Sequence, residues 1–157
     1  GTEVNTELTV LETSKEWPEN LGVGKPYDNM IDNRLEDYLE AKAAAGQGDS
    51  RKTSALLAAV ADYTISRSHF ESGNLLSALA LRESGKVQEA DHMVAAWSTD
   101  FPENRVVQWC TAIYRGEKEK AVGMLQSRND QTNTTPWEAS FRDSNFDLIV
   151  RLFSTEQ

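Results

Sequence analysis

The stretch LALRESGKVQEADHMVAAWSTDFP, residues 79–102, decides the fold of this chain. It places a glycine, Gly85, between two segments whose apolar residues recur with the period of an α-helix. A glycine permits the positive φ of a helix C-cap, and Pro102 stops the second segment. Ala90, five residues after the glycine, offers a small side chain where two helices can touch. The stretch therefore predicts two helices joined by a tight glycine turn.

The same pattern returns further along the chain, which indicates an internal repeat. Gly116 follows Gly85 by 31 residues, and Ala121 again comes five residues after the glycine. A bulky residue, Val94 or Leu125, lies one helical turn beyond each alanine. Two helix pairs with the same internal spacing are therefore expected.

An earlier pair fits the pattern less closely. Its glycine turn reads as lengthened to residues 46–49, and the small-residue position falls on Arg51 or Thr53. Asp49 is a good N-cap for the second helix of this pair. The full set of expected helices covers about residues 4–17, 30–45, 50–66, 73–84, 87–99, 106–114 and 118–127, with capping-box helices starting near residues 135 and 144.

The start of the chain repeats a signal from its middle. Residues 17–20, Trp-Pro-Glu-Asn, match residues 101–104, Phe-Pro-Glu-Asn, at an offset of 84. Residues 4–18 are therefore expected to be the second helix of a repeat whose first helix is missing. The prediction is one all-α domain over residues 1–157, with about three helix pairs in residues 30–127 and a polar loop with capping helices in residues 128–157.

This order of glycine turn, small contact residue and closing proline resembles the tetratricopeptide-repeat family. The resemblance is strongest at Gly85, Ala90 and Pro102. Trp109 departs from it, because the family has a small residue there. The segment at residues 17–26 is also similar to the C-terminal helical repeats of large bacterial proteins that carry sugar-enzyme-like β domains. The resemblance implies antiparallel helix pairs in a right-handed solenoid, with a concave groove made by the first helix of each pair. The groove positions that it implies are Asn33, Glu36 and Glu40, then Leu75, Leu79 and Arg82, then Val106, Cys110 and Tyr114.

Charge limits the classes of partner. The 157 residues carry a net charge of −9, and residues 1–50 hold 11 acids against 4 bases. An acidic chain repels nucleic acid and anionic lipid. The longest apolar run, residues 55–61, is far shorter than the roughly 18 residues that a membrane span needs. The expected partner is a protein or peptide, basic or amphipathic, or a neighbouring domain of the same chain.

Three of the acids, Asp32, Glu36 and Glu40, recur every fourth residue and share one face of the predicted first helix. Two interpretations stay open. The row is either a solvated helix face, or it lines the groove and steers a basic segment.

The sequence gives little indication of a catalytic site. His69 and His92 are 23 residues apart, and each is best explained as a helix-surface or turn residue. Cys110 is expected to be a small core residue, and the carboxylates of Asp143 and Asp147, four apart, a solvated face. No metal site or cofactor is expected, and the compartment stays open. The expected function is a non-catalytic interaction or scaffolding module, with an accessory domain of a carbohydrate-active enzyme as the alternative.

Overall fold

The chain is all-α over the residues that its computed structural model describes, which are 31–65, 69–129, 143 and 145–155. Seven helices and no strand occur in these ranges. The helices are α1 (Arg34–Gly46), α2 (Ser50–Ile65), α3 (Gly73–Glu83), α4 (Val87–Asp100), α5 (Arg105–Tyr114), α6 (Lys118–Asn129) and α7 (Phe146–Thr155).

Most helix boundaries fall within two residues of the predicted ones. The exception is the start of α1, at Arg34 and not near residue 30, where Asp32 binds the amide of Arg34 through its side chain at 3.1 Å. The expected helix at 4–18 and the capping box at 135–138 lie outside the described residues.

The first helix of each pair ends in the same glycine turn. Gly48, Gly85 and Gly116 have φ values of +79°, +82° and +73°. In each turn the amide after the glycine donates to the carbonyl five residues earlier, the pattern of a Schellman motif. These bonds run from Asp49 to Ala44 at 3.0 Å, from Lys86 to Leu81 at 2.9 Å and from Glu117 to Ala112 at 2.8 Å.

The first turn is therefore not lengthened, which corrects the prediction for residues 46–49. Gly46 is the last helical residue of α1, and Gly48 alone takes the left-handed conformation. Counting five residues from Gly48 places Thr53 at the position of Ala90 and Ala121, which are both buried. Thr53 is half-buried, and its hydroxyl donates to the carbonyl of Asp49 at 2.7 Å.

The helices pack in chain order. Each helix from α1 to α5 contacts the next one, and the contact between α4 and α5 is the smallest of these. Helix α3 also contacts α1 and α5. Helix α3 lies at the centre, and residues 72–81 are buried without interruption. Contacts between alternate helices are what a helical array requires, because each pair buries its apolar face against the next pair.

Helix α7 covers the last pair of the array. Phe146 is buried and packs edge-on against Trp109, with ring centroids 5.4 Å apart. Asp143, just before the helix, accepts a hydrogen bond from the amide of Ser72 at 2.6 Å. The indole of Trp109 is only 1% exposed and is covered by Phe146 of α7. Without α7 the end of the array would expose this apolar face.

A buried arginine joins the first three helices. Arg34 is 2% exposed, and its guanidinium lies at the junction of α1, α2 and α3. Its Nε and Nη2 donate to the two carboxylate oxygens of Asp32 at 2.9 and 2.8 Å, and Nη2 also donates to Glu71 at 2.8 Å. Nη1 donates to Thr64 at 2.7 Å and to Asn74 at 2.6 Å. All five guanidinium N–H groups therefore have an acceptor.

The network continues into the core. The hydroxyls of Thr64 and Ser77 lie 2.6 Å apart, and Ser77 donates to the carbonyl of Val60 at 2.7 Å. Since Ser77 gives its proton to Val60, Thr64 donates to Ser77 and accepts from Arg34. The ring of Tyr63 lies under the guanidinium at 4.5 Å. Each buried polar side chain of this network, Arg34, Thr64, Asn74 and Ser77, has a hydrogen-bond partner, so the network fixes the register of α1 against α2 and α3.

Candidate functional site

Three of the predicted groove residues meet at one cavity. Leu79 and Arg82 from α3 and Tyr114 from α5 line a space of about 320 Å³. Its other walls come from the end of α5, the glycine turn after it, the start of α6 and the last helix. These further lining residues are Ile113, Arg115, Gly116, Lys118 and Phe153.

Other predicted groove residues belong to the core. Leu75, Val106 and Cys110 are each at most 1% exposed, so they are unavailable to a partner. The resemblance implied that they face the groove, but they lie in the core at the contacts of α3 and α5 with their neighbours. Only the C-terminal turns of these two helices reach the cavity.

The acidic residues of α1 do not form a row of free carboxylates. Glu40 is 4% exposed, and its Oε1 lies 3.0 Å from Nζ of Lys52, so neither interpretation of the row describes it. Asp32 is bound to Arg34. Glu36 is half-buried, and its Oε2 has no hydrogen-bond partner among the described residues.

Asn33 precedes the first turn of α1. Its carbonyl accepts from the amide of Asp37 at 2.8 Å, while its side chain makes no capping bond. Neither Asn33 nor the acids of α1 line the cavity around Arg82. This cavity therefore combines apolar walls with cations and includes none of the acids that were predicted to line the groove.

Arg82 is held in place by Tyr114. Its Nη1 donates to the carbonyl of Tyr114 at 2.8 Å, and its Cζ lies 4.8 Å from the centre of the phenol ring. The hydroxyl of Tyr114 donates to Oδ1 of Asp91 on α4 at 2.7 Å. Burial, the hydrogen bond to Asp91 and its charge raise the pKa of Tyr114 to about 12, against the opposing effect of Arg82. The phenol proton is therefore held more tightly than in a free tyrosine, by burial and by the hydrogen bond to Asp91.

The cavity gathers cations that have no carboxylate partner. Within the described residues, Arg82, Arg115 and Lys118 form no ion pair within 4.0 Å. Arg115 is close enough to Glu117 to help lower the pKa of that carboxyl. Elsewhere on the described surface, Lys42 pairs with Glu83, Lys52 with Glu40, Lys120 with Glu117 and Arg128 with Asp147, whereas Arg51 and Arg105 form no ion pair within 4.0 Å. The cavity differs in that three such cations line it together.

An excess of positive charge beside apolar walls is unusual on a chain of net charge −9. Leu79, Ile113 and Phe153 supply the apolar surface. A concave site of this composition suits a group that carries negative charge and apolar surface together.

The candidate catalytic groups are not brought together. His69 is exposed and lies 2.9 Å from Glu71, which also binds Arg34. Helix α7 begins at Phe146, so Asp143 lies before it and does not share a helix face with Asp147. Asp147 pairs with Arg128 at 2.8 Å.

Cys110 is wholly buried. Burial first, and the charge of Asp143 second, raise the pKa of its thiol well above the usual value. Within the described ranges, no three His, Cys, Asp or Glu side chains are grouped so that they could hold a metal ion. In the same ranges, no helix has the length and apolar character to cross a membrane.

Sequence reasoning missed Arg115 and Lys118 because it carried over only positions on the first helices. The available signal was the composition of the last glycine turn, where Arg115 and Lys118 flank Gly116 and Glu117. The turn positions its residues as closely as a helix does, because the Schellman bonds fix its backbone.

No protein-family model matches the chain, and no curated protein or solved structure proved significantly similar to it. The similarity to helical repeats therefore stands on the residues and on the observed array.

Proposed function

We propose that this chain is a non-catalytic protein-interaction module that binds an acidic, partly apolar segment in the cavity around Arg82. The observation that carries the proposal is the set of three cations without carboxylate partners, Arg82, Arg115 and Lys118, beside an apolar wall. The bound segment belongs to a separate protein or to a neighbouring domain of the same polypeptide. The sign of its charge is the reverse of that expected from the acidic first helix.

The proposal includes a tetratricopeptide-like arrangement, with antiparallel helix pairs in a right-handed solenoid. Three equal glycine turns and the contacts of α1 with α3 and of α3 with α5 support it. In such an array the first helices share one face, and the cavity lies where α3 and α5 end on that face.

Each part of the cavity has a role in this proposal. Arg82 is oriented in advance by Tyr114, which lowers the entropic cost of binding a carboxylate. Arg115 and Lys118 add attraction that speeds association and weakens with salt, since exposed charges are screened beyond roughly 10 Å at 0.1 M. Leu79 and Phe153 receive an apolar side chain of the segment.

Peptide display against the purified 157-residue chain tests the proposal. Selected peptides should be rich in Asp or Glu next to large apolar residues. Arg82→Gln and Lys118→Gln should each weaken the binding of a selected peptide about tenfold at low salt, as expected for a lost charged hydrogen bond. Arg51→Gln is the matched control, because Arg51 is exposed, has no ion pair among the described residues and lies on α2 away from the cavity. Equal loss in all three variants, or selection of basic peptides, would contradict the proposal.

A further inference from the structure

A second cavity lies on another side of α5. Its volume is about 310 Å³, close to that of the first cavity and at the lower end of the range for small-molecule sites. The end of α4, the turn at residues 101–102, one stripe of α5 and the start of α6 form its walls. The lining residues are Ser98, Phe101, Pro102, Val107, Gln108, Thr111, Arg115 and Lys120.

The lining changes character along α5. Phe101 and Pro102 give one end exposed apolar surface, beside the buried Val107 and the amide of Gln108, which donates to the carbonyl of Pro102 at 2.7 Å. Arg115 and Lys120 make the other end cationic. Val107 and Arg115 are eight residues apart on one stripe, which corresponds to about 12 Å at 1.5 Å per residue. A ligand that lies along the stripe therefore meets apolar surface at one end and positive charge at the other.

Hydroxyl groups lie between the two ends. Ser98 donates to the carbonyl of Val94 at 3.1 Å, and its oxygen is 3.3 Å from the hydroxyl of Thr111. Since the hydroxyl of Ser98 donates to the carbonyl of Val94, the hydroxyl of Thr111 donates to Ser98 through the long 3.3 Å hydrogen bond. Thr111 can turn its proton to a ligand at little cost.

The cationic end can accept an anion. Arg115 has no ion pair within 4.0 Å among the described residues. Lys120 pairs with Glu117 at 2.9 Å, but both side chains are substantially exposed, and such pairs contribute little. Arg115, Lys120 and Glu117 together carry one net positive charge, and an incoming carboxylate competes with Glu117 for Lys120.

We propose that this second cavity is a binding site for a small amphipathic carboxylate, such as a short-chain acyl or arylalkyl acid. Its carboxylate binds Arg115 and Lys120, and its carbon chain lies against the exposed rings of Phe101 and Pro102. The size of the cavity, and the separation of its cations from Phe101 and Pro102, favour a small ligand over an extended peptide. This proposal does not depend on the first cavity, although Arg115 lines both.

Titration of the 157-residue chain with hexanoate, followed by amide chemical shifts, tests the site. Hexanoate should give saturable shifts at Ser98, Thr111 and Lys120, in the millimolar range expected for so small a ligand. Hexanol, which has no charge, and hexylammonium, which has the opposite charge, should bind about tenfold more weakly or not at all. Equal binding of hexanol, absence of saturation, or shifts confined to Arg82 and Tyr114 would each overturn the proposal.

Variants assign the contacts. Lys120→Gln should weaken hexanoate binding several-fold, and Glu117→Gln should strengthen it by removing the competing carboxylate. Lys118→Gln is the control, because Lys118 lines only the first cavity. Loss of hexanoate binding in Lys118→Gln with none in Lys120→Gln would place the ligand in the first cavity and reject the second site.

Discussion

Arg34 lies so close to Gly73 that a Cβ atom at residue 73 would stand 2.6 Å from the guanidinium carbon. The first residue of α3 is thus a glycine because a buried side chain of α1 occupies the space beside it. A flexible arginine side chain could move away from an added Cβ, but this guanidinium would then lose its five hydrogen bonds. The contact therefore couples the identity of one residue to the position of another that is 39 residues earlier.

Gly73→Ala should destabilise the protein, although glycine is normally the poorer helix residue. The clash displaces Arg34 from its acceptors, at a cost of about 1–3 kcal/mol in the free energy of unfolding. Gly123→Ala is the control, since no atom lies within 4 Å of a Cβ there and the change should add about 0.5–1 kcal/mol. Urea unfolding measures both. A stabilised Gly73→Ala variant would show that Arg34 relaxes freely.

Arg34→Met should lower the free energy of unfolding by about 3–5 kcal/mol. The change removes the cation beside Asp32 and Glu71 and leaves the buried oxygens of Thr64 and Asn74 without their donor. Arg51→Met removes the same charge from the surface of α2 and should change stability by no more than about 0.5 kcal/mol. Denaturant midpoints of the two variants decide the matter. Similar midpoints would mean that the buried network contributes little.

Ala90→Leu and Ala121→Leu should each overpack a helix contact and cost about 1–3 kcal/mol, because both alanines are buried at the equivalent position of their pairs. Ala58→Leu, at an exposed position of α2, is the size-matched control and should be nearly neutral. Thermal melts compare the three variants. An unchanged melting temperature for Ala90→Leu would contradict the helix contact that the repeat predicts at Ala90.

Alkaline pH should weaken the folded state through Tyr114. Its pKa is about 12 in the folded protein and near the usual 10 when unfolded, so the folded state holds its proton more tightly. This stability is fully present below pH 10 and is lost as the pH rises through about 12. Spectrophotometric titration of tyrosinate measures the pKa.

Asp91→Asn should lower the pKa of Tyr114, because both the charge and the charged acceptor of the phenol are removed. Asp62→Asn, on the exposed side of α2, is the control. An unchanged titration curve in Asp91→Asn would mean that burial alone sets the pKa.

The helices and their turns could be predicted because their causes are local. A positive φ favours glycine whatever surrounds it, so Gly85 and Gly116 were identified as turns without any tertiary knowledge. The first turn was misread because two glycines stand near each other, and composition does not tell which takes the left-handed conformation. The Schellman bonds assign that conformation to Gly48.

Charged residues on helices were the main source of error. Periodicity puts Glu40 on a face with other acids, but it does not reveal that Lys52 of α2 covers it. Arg34 likewise stands between Asp32 and Glu36 in the sequence, and nothing local indicates that the structure buries it between three helices. A long charged side chain can reach water or a partner equally well, and only the packing of neighbouring helices decides between them.

Local sequence signals were enough to predict an all-α chain of consecutive helices, with glycine turns at Gly85 and Gly116 and a small residue, Ala90 or Ala121, five residues after each. The tertiary structure alone decided that Arg82, Arg115 and Lys118 surround one cavity, since these residues come from α3, the last glycine turn and α6. The physical reason is the difference in sequence separation over which the two kinds of interaction act. Backbone conformation and apolar periodicity act within a few residues, whereas the sign of the charge in a cavity depends on which helix ends the packing brings together.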